Sequence, residues 1–214
     1  MLMSDYKKSV VIVDYDVGNV LSIKRAIETF CKNVIISRDF NKIKNADKII
    51  LPGVGSFPGV ISKIKKYDLF NLITEMYFLK KSILGICVGM QIGLEKGLEM
   101  HETKGLNFVK GEVINFRDKF KNEYKLPNIG WRKVKLYKED NILKFNNLNK
   151  DFFYFIHSYL CDIFNNNNLI GLTKYQDCIY PSIIKSSNYY GCQFHPEKSS
   201  ISGINFLRGF VDID

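Results

Sequence analysis

The sequence contains 214 residues, of which 46% are hydrophobic and 25% are charged, and its formal net charge is +9. This composition predicts one globular domain spanning residues 1–214, and the lack of an apolar run of about 18 residues argues against a membrane-spanning helix. The lysines are dispersed among asparagines and form no basic block, which argues against nucleic-acid binding and favours an acidic partner or a nearby phosphate-bearing substrate.

The cysteines and histidines indicate the compartment and the absence of a metal. An odd number of cysteines without a CxxC pair predicts a reducing, cytoplasmic environment. None of the three histidines is spaced with a cysteine as in a zinc site, and no Walker loop or GxGxxG is present, so we expect neither a metal nor another cofactor. Residues 1–8 lack the apolar core of a signal peptide and predict a flexible leader. The cysteines are Cys31, Cys87, Cys161, Cys178 and Cys192.

The first half of the chain alternates between strand and helix patterns. Short apolar runs predict strands, and apolar residues at helical spacing predict the helices between them. This alternation is typical of a mainly parallel sheet with helices on both faces. The predicted strands are residues 9–13, 34–36, 48–51 and 82–86, and the predicted helices are residues 19–31 and residues 60–79, the latter interrupted near Tyr67.

The second half contains short strands joined by short loops, which favours antiparallel pairing. Residues 119–125 and 165–168 are predicted loops, and residues 201–210 form a closing amphipathic helix. The fold class is therefore α/β, with three layers, a mostly parallel central sheet and an antiparallel C-terminal portion. The predicted strands are residues 112–116, 131–137, 152–157, 169–175, 182–185 and 189–194.

The motif GICVGMQ at residues 85–91 follows a buried strand and precedes a helix-like segment. This is the layout of a nucleophile elbow, in which a tight turn lifts a reactive side chain above the sheet. The sulfur of Cys87 would lie beside a helix N-terminus, where unpaired N–H groups favour a thiolate and an oxyanion. Alternatively, Cys87 is an inert core cysteine between two glycines.

The motif QFHPEKS at residues 193–199 supplies a candidate base and a carboxylate. In extended chain, side chains two residues apart share a face, so His195 and Glu197 would project together. A carboxylate orients an imidazole, and the imidazole activates a thiol. A structural histidine at a strand end is the alternative interpretation.

These two motifs, together with LPGVGSF at residues 51–57, resemble the signatures of class I (triad) glutamine amidotransferases. Members of this family hydrolyse the side-chain amide of glutamine through a thioester and pass on the ammonia. Further blocks at residues 14–19, 127–131 and 154–159 are similar to the glutaminase subunits of imidazole glycerol phosphate synthases. That resemblance covers nearly the whole chain. It implies a heterodimer with a (β/α)8-barrel synthase subunit, which would receive the ammonia.

The resemblance implies a role for each matching residue. Cys87 would be the nucleophile, His195 the base and Glu197 the residue that orients the base, while the peptide of Gly53 and Val54 and the amide of Val88 would form the oxyanion hole. Gln91, Glu99 and the backbone of Ser158 and Tyr159 would bind L-glutamine. Asn19, Arg25, Trp131 and Lys198 would face the partner or relay its state.

The chain departs from the family pattern at several positions and leaves other functions open. Asp16 stands where the family has glycine, and Asn128, Ile129 and Arg132 also differ in a block associated with the partner. The acceptor of ammonia is therefore either the nucleotide of histidine biosynthesis or a sugar of a surface-polysaccharide or nonulosonic pathway. A non-catalytic binding module and a cysteine hydrolase of another amide are further alternatives.

Overall fold

The computed structural model describes residues 8–121 and 123–213. The helices of these residues are α1 (Val20–Glu28), α2 (Phe40–Asn45), α3 (Phe57–Lys66), α4 (Leu69–Phe78), α5 (Val88–Gln91), α6 (Phe116–Phe120) and α7 (Ser200–Asp212), with 3₁₀ turns at Asn141–Leu143, Asn166–Asn168 and Pro196–Lys198. The strands are β1 (Val10–Val13), β2 (Val34–Ser37), β3 (Lys48–Leu51), β4 (Ser82–Ile86), β5 (Leu94–Gly97), β6 (Thr103–Lys104), β7 (Val109–Asn115), β8 (Asn128–Arg132), β9 (Val134–Leu136), β10 (Phe153–His157), β11 (Tyr159–Ile163), β12 (Leu169–Tyr175), β13 (Cys178–Ser186) and β14 (Tyr189–Cys192).

The central sheet has eight strands in the order β2-β1-β3-β4-β14-β13-β12-β9. The five strands from β2 to β14 pair in parallel, and β14, β13, β12 and β9 pair antiparallel. β1, β3, β4 and β14 are buried along their whole length, as strands covered on both faces must be. The predicted fold class, with its antiparallel C-terminal portion, is confirmed.

The strand order places helices on both faces and fixes where a site can form. The connection from β1 through α1 to β2 runs in one direction along the sheet, whereas the connection from β3 through α3 and α4 to β4 runs in the other. Right-handed crossovers then put these helices on opposite faces. The loops after β1 and β3 diverge at this reversal, and such a point is the usual ligand site of an open α/β sheet.

Several strands of the second half of the chain differ from those predicted from the sequence. The strand predicted for residues 131–137 is wrong, because β8 pairs with β10 and β9 pairs with β12 in different sheets. The strand predicted for residues 112–116 starts at Val109 instead and ends at Asn115, where α6 begins. β11 lies in a second small sheet, ordered β11-β7-β5-β6, that the sequence pattern did not indicate.

The interruption predicted near Tyr67 in the helical segment of residues 60–79 is confirmed. α3 ends at Lys66 and α4 starts at Leu69, and Asp68 between them has a left-handed φ of 55°. The helix-like segment after Cys87 is a single turn, α5, so the macrodipole expected there is short. The predicted leader lies outside the described residues except for Lys8, whose Nζ donates to the Ile213 carbonyl at 2.7 Å. Of the helices described, none combines the length and the apolar character needed to cross a bilayer.

The turn after β4 packs directly against the end of β3. A Cβ built on Gly89 would lie 2.0 Å from the Leu51 carbonyl oxygen, and one built on Gly53 would lie 2.1 Å from the Gly89 nitrogen. Both distances are far below van der Waals contact, so only glycine fits at either position. The two loops are therefore held against each other by backbone contact.

We expect Gly89→Ala to destabilise the protein by about 1–3 kcal/mol, because the added methyl group forces two backbone segments apart. Gly59→Ala is the matched control, since Gly59 is exposed on α3 and its Cβ would meet only the Ser56 Oγ, at 2.9 Å. Urea unfolding measures both variants. Equal unfolding free energies for the two variants would contradict the tight packing of the turn.

Candidate active site

Cys87 occupies a strained turn between β4 and α5. Its φ of 54° and ψ of −110° lie outside the regions that residues with a Cβ normally adopt. The turn is held by its own backbone, because the Cys87 N–H donates to the Cys192 carbonyl at 2.7 Å and the Cys87 carbonyl accepts from Met90 at 3.0 Å. Cys87 is 4% exposed. The strain and these bonds together present the thiol at the carboxyl end of the sheet, as in a nucleophile elbow.

The His195 side chain hydrogen-bonds this thiol, and Glu197 binds the imidazole ring in turn. Nδ1 of His195 is 2.8 Å from Oε1 of Glu197, and the side chains are 2% and 0% exposed. Nδ2 of Asn19 donates to the same carboxylate oxygen at 2.7 Å. The argument from extended chain is wrong for this pair, because Glu197 lies in the 3₁₀ turn Pro196–Lys198 and the turn itself returns the carboxylate to the ring.

The electrostatics of the pair favour a charged imidazole. Burial by itself lowers the pKa of His195, but the Cys87 and Glu197 side chains that hydrogen-bond to the ring raise that pKa to about 10. A cationic imidazole beside a sulfur is an arrangement found at nucleophilic cysteines. The arrangement can therefore perform nucleophilic attack followed by proton donation to a leaving group.

Gln193 is a functional candidate to which the sequence reasoning assigned no role. It is fully buried, and its Nε2 donates to the Cys87 Sγ at 3.6 Å. Its Oε1 accepts from Nε2 of Gln91 at 3.1 Å. The available signal was its position two residues before His195, directly after a strand, where alternation predicts a shared face.

The loop after β3 forms one wall of the site. Gly53 is buried against the Val88–Gly89 backbone, whereas Val54 is 36% exposed and Gly55 has a φ of 108°. Val88 is the first residue of α5, and the first amide of a helical turn has no partner within the turn. The predicted oxyanion donors thus lie on two backbone segments in mutual contact.

A cavity of about 330 Å³ opens onto the thiol. Eight of the ten residues predicted for catalysis, the oxyanion hole or glutamine binding line it, and Gly53 and Glu197 do not. The predicted residues that line it are Val54, Cys87, Val88, Gln91, Glu99, Ser158, Tyr159 and His195.

Gln91 and Glu99 are engaged in ways the sequence did not predict. Nε2 of Gln91 donates to the Tyr159 carbonyl at 3.1 Å, so Gln91 also fixes the backbone of the opposite wall. Oε2 of Glu99 accepts from the Phe57 amide at 2.7 Å, at the N-terminus of α3. A carboxylate is stabilised at that position by the helix dipole. Both side chains border the cavity, so the same residues can meet a ligand there.

A buried polar network lies behind the Ser158–Tyr159 wall. Nδ1 of His157 lies 2.8 Å from the Tyr159 carbonyl and, because a carbonyl only accepts, carries the proton. Nε2 of His157 lies 3.1 Å from Nδ2 of Asn128 and 3.2 Å from the Tyr180 hydroxyl. Arg132 donates to Oδ1 of Asn128 at 2.6 Å. Burial lowers the pKa of His157 to about 4, so this ring is neutral near pH 7.

The four residues predicted for the partner face occupy two different environments. Three of them are exposed: Arg25 lies on α1, Trp131 lies on β8, and Lys198 ends the 3₁₀ turn that carries Glu197. Both α1 and β10, the partner strand of β8, pack against that turn. Asn19 instead directs its amide inward to Glu197. Among the described residues, no group of three or more His, Cys, Asp or Glu side chains is arranged to hold a metal ion.

The fold and the site bring a thiol, an imidazole and a carboxylate together at the carboxyl end of a parallel sheet, an arrangement typical of enzymes with a cysteine nucleophile. The family model of class-I glutamine amidotransferases matches residues 11–212. The chain therefore belongs to this family, and it is a glutamine amidotransferase.

Individual relatives agree with this assignment. Imidazole glycerol phosphate synthase subunit HisH of Lactococcus lactis is 40% identical, covering 96% of this chain and 98% of its own. A subunit HisH 1 of Methanococcus maripaludis is 38% identical, with 95% and 99% covered. Among solved structures, a glutamine amidotransferase superimposes with a TM-score of 0.73 and 14% sequence identity, covering 95% of this chain and 98% of its own. PurLQS of Thermotoga maritima superimposes with a TM-score of 0.71 and 18% identity, covering 96% of this chain and 98% of its own.

We expect the stability of the protein to fall as the pH drops from 6.5 towards 4, because unfolding lets His157 take up a proton that the folded state excludes. A pKa lowered from 6.5 to about 4 corresponds to about 3 kcal/mol of unfolding free energy once the pH is below both values. The wild type and His157→Gln are compared by urea unfolding at pH 7.5 and 4.5. The wild type should lose about 2 kcal/mol more than the variant; equal losses would rule out a neutral buried ring.

Proposed function

We propose that this chain is the glutaminase subunit of an imidazole glycerol phosphate synthase. It hydrolyses L-glutamine to glutamate and delivers the ammonia to a (β/α)8-barrel synthase subunit, with which it forms a heterodimer. The single observation that carries the glutaminase proposal is the buried chain of Cys87, His195 and Glu197, in which Cys87 and His195 line the 330 Å³ cavity. The relatives of that name, at 35–40% identity over nearly the full length of both chains, support the choice of pathway.

In the proposed mechanism, the Cys87 thiolate attacks the carboxamide carbon of glutamine and forms a C–S bond. The resulting tetrahedral oxyanion collapses to a thioester, and His195 donates its proton to the departing ammonia. The neutral ring then takes a proton from water, whose oxygen attacks the thioester carbon. The C–S bond breaks as glutamate is released, and because the proton from water stays on the ring, the thiolate–imidazolium pair is regenerated. Glu197 holds the ring orientation and supports its positive charge throughout.

The oxyanion needs N–H donors aimed at it in the transition state. We assign these to the Val88 amide and to the peptide of Gly53 and Val54, which border or support the cavity beside the thiol. Gln91, Glu99 and the Ser158–Tyr159 backbone are assigned to the glutamine head group. Gln193, which donates to Sγ, is assigned to stabilising the thiolate.

The partner is assigned to the end of the molecule that carries Trp131 and Lys198. Ile129 and Trp131 are 51% and 50% exposed on β8, and Ile156 is 39% exposed on the neighbouring strand β10. Exposed apolar side chains next to a cavity are typical of protein–protein contact. Ile156 itself lines the cavity, so a partner docked on these strands would close over the site.

We expect Cys87→Ala to abolish glutamine hydrolysis while the fold and the partner remain intact, because the nucleophile is lost. The synthase activity of the complex should persist with added ammonium salt, which bypasses the glutaminase. Both activities are measured on the complex, with and without glutamine. Residual glutaminase turnover in Cys87→Ala would refute the thioester mechanism.

Two variants in the same assay separate the base from its orienting residue. His195→Asn should lower kcat by about 10²–10⁴-fold, the usual contribution of a general acid–base group. Glu197→Gln should cost less, because it changes the orientation and charge of the ring without removing the proton carrier. A larger loss in Glu197→Gln than in His195→Asn would reverse the assignment.

We expect the isolated chain to be a poor glutaminase and its turnover to rise at least about tenfold when both a barrel partner and the acceptor are bound, a coupling of ordinary allosteric size. The exposed Val54–Gly55 backbone leaves the oxyanion donors free to be set by that partner. Glutaminase rates are compared with the histidine-pathway phosphoribulosyl nucleotide and with candidate sugars. Activation by a sugar-modifying barrel complex alone would refute the pathway but retain the glutaminase.

A further inference from the structure

The segment of residues 14–19, which follows β1, touches both halves of the catalytic machinery. At its far end, Asn19 donates to the Glu197 oxygen that also accepts from His195. Near its start, the buried hydroxyl of Tyr15 donates to the carbonyl of Pro52, the residue directly before Gly53. One short segment therefore contacts the triad carboxylate and the predicted oxyanion strand.

A third contact lies between these two. A Cβ at Gly18 would lie 3.3 Å from Cγ2 of Val54, so the backbone of the segment already packs closely against that side chain. Val17 is 6% exposed and ties the middle of the segment into the core. Since β1 and β3 are neighbours in the sheet, the segment lies where their two loops diverge.

The same segment is fastened from outside by Asp16. Its carboxylate accepts from Arg38 at 2.6 Å and from the Tyr67 hydroxyl, and its carbonyl accepts from Nζ of Lys63 at 2.6 Å. The Arg38 guanidinium also lies 4.1 Å from the centroid of the Tyr67 ring and binds Asp14 at 2.8 Å. The segment is thus tied to β2, which Arg38 follows, and to α3, which carries Lys63 and precedes Tyr67.

The backbone of the segment is strained at the points where it is held. Asp16 and Asn19 have φ of 61° and 66°, and aspartate and asparagine adopt this region at a cost that glycine would avoid. Asp16 is exposed, so its ion pairs contribute little to global stability. A strained and heavily tethered loop beside the catalytic side chains indicates that its conformation serves the site.

We propose that residues 14–19 are a positioning element of the glutaminase, in which Tyr15 holds the oxyanion strand, Asn19 holds Glu197 and Asp16 anchors the segment. The inference rests on the proposed glutaminase function. Tyr15 and Asn19 are positioning residues, because each acts through another group. The element sets the distance between the oxyanion donors and the triad from a single backbone.

Two variants probe the two halves separately. Tyr15→Phe removes only a hydroxyl and should lower kcat about tenfold with KM for glutamine within about twofold, because the oxyanion strand loosens. It should leave the pH profile of Cys87 alkylation by iodoacetamide unchanged. Asn19→Ala should lower kcat and also shift that alkylation profile to higher pH, since the support of the imidazolium weakens.

The matched control is Tyr175→Phe, which removes another buried tyrosine hydroxyl that donates to a loop carbonyl, that of Lys125. Its kcat should stay within about twofold of the wild type, and thermal unfolding checks the folding of every variant. Asp16→Gly removes the anchor and should lower kcat several-fold while leaving the alkylation profile closer to the wild type than Asn19→Ala does.

The outcomes separate this inference from the proposed function. A wild-type complex with no glutaminase activity would overturn both the function and the inference. An active wild type with Tyr15→Phe unchanged in kcat, or with Tyr175→Phe as impaired as Tyr15→Phe, would overturn the inference alone. A lowered kcat in Tyr15→Phe, with the alkylation profile shifted only in Asn19→Ala, would support it.

Discussion

The backbone contact between the Cys87 turn and the end of β3 is the constraint on which the rest of the site depends. Gly53 and Gly89 lie so close that a methyl group on either would overlap main-chain atoms of the other loop. This contact sets the thiol beside the Val54 peptide before any side chain is considered. The parallel neighbours β3, β4 and β14 then deliver three loops to one edge of the sheet, where the thiol, the His195 ring and the proposed oxyanion strand meet.

The pKa values of the two histidines of the site are shifted in opposite directions, and both shifts follow from the surroundings of each ring. His195 hydrogen-bonds to the Cys87 and Glu197 side chains, which favour the charged ring despite burial. His157 is buried among an amide, a hydroxyl and a carbonyl that satisfy a neutral ring. Surroundings that move the pKa values of two titratable groups in opposite directions suit the two groups to different roles, here the proposed proton carrier and a structural support.

The parts of the fold that the sequence predicted are those decided by local composition. Buried strands such as β1, β3 and β4 are largely apolar runs, and the loops that follow them carry the motifs of the site. The break between β8 and β9 was not predictable, because it depends on which distant strand each one pairs with. The bond from Asn19 to Glu197 joins positions 178 residues apart, and no local pattern could indicate it.

The glycine contact also restricts how the site can rearrange. The β3 loop cannot move towards the thiol, because main-chain atoms already touch there, and Tyr15 ties Pro52 behind it. Val54, the next residue after Gly53, is 36% exposed, and Gly55 beyond it has no neighbour within 4 Å of a built Cβ. The start of the loop is therefore fixed by packing, whereas the residues after Gly53 can change conformation. A peptide can rotate there, but the loop as a whole cannot translate. A rearrangement of the proposed oxyanion donors must therefore occur as a rotation about one or two backbone torsions.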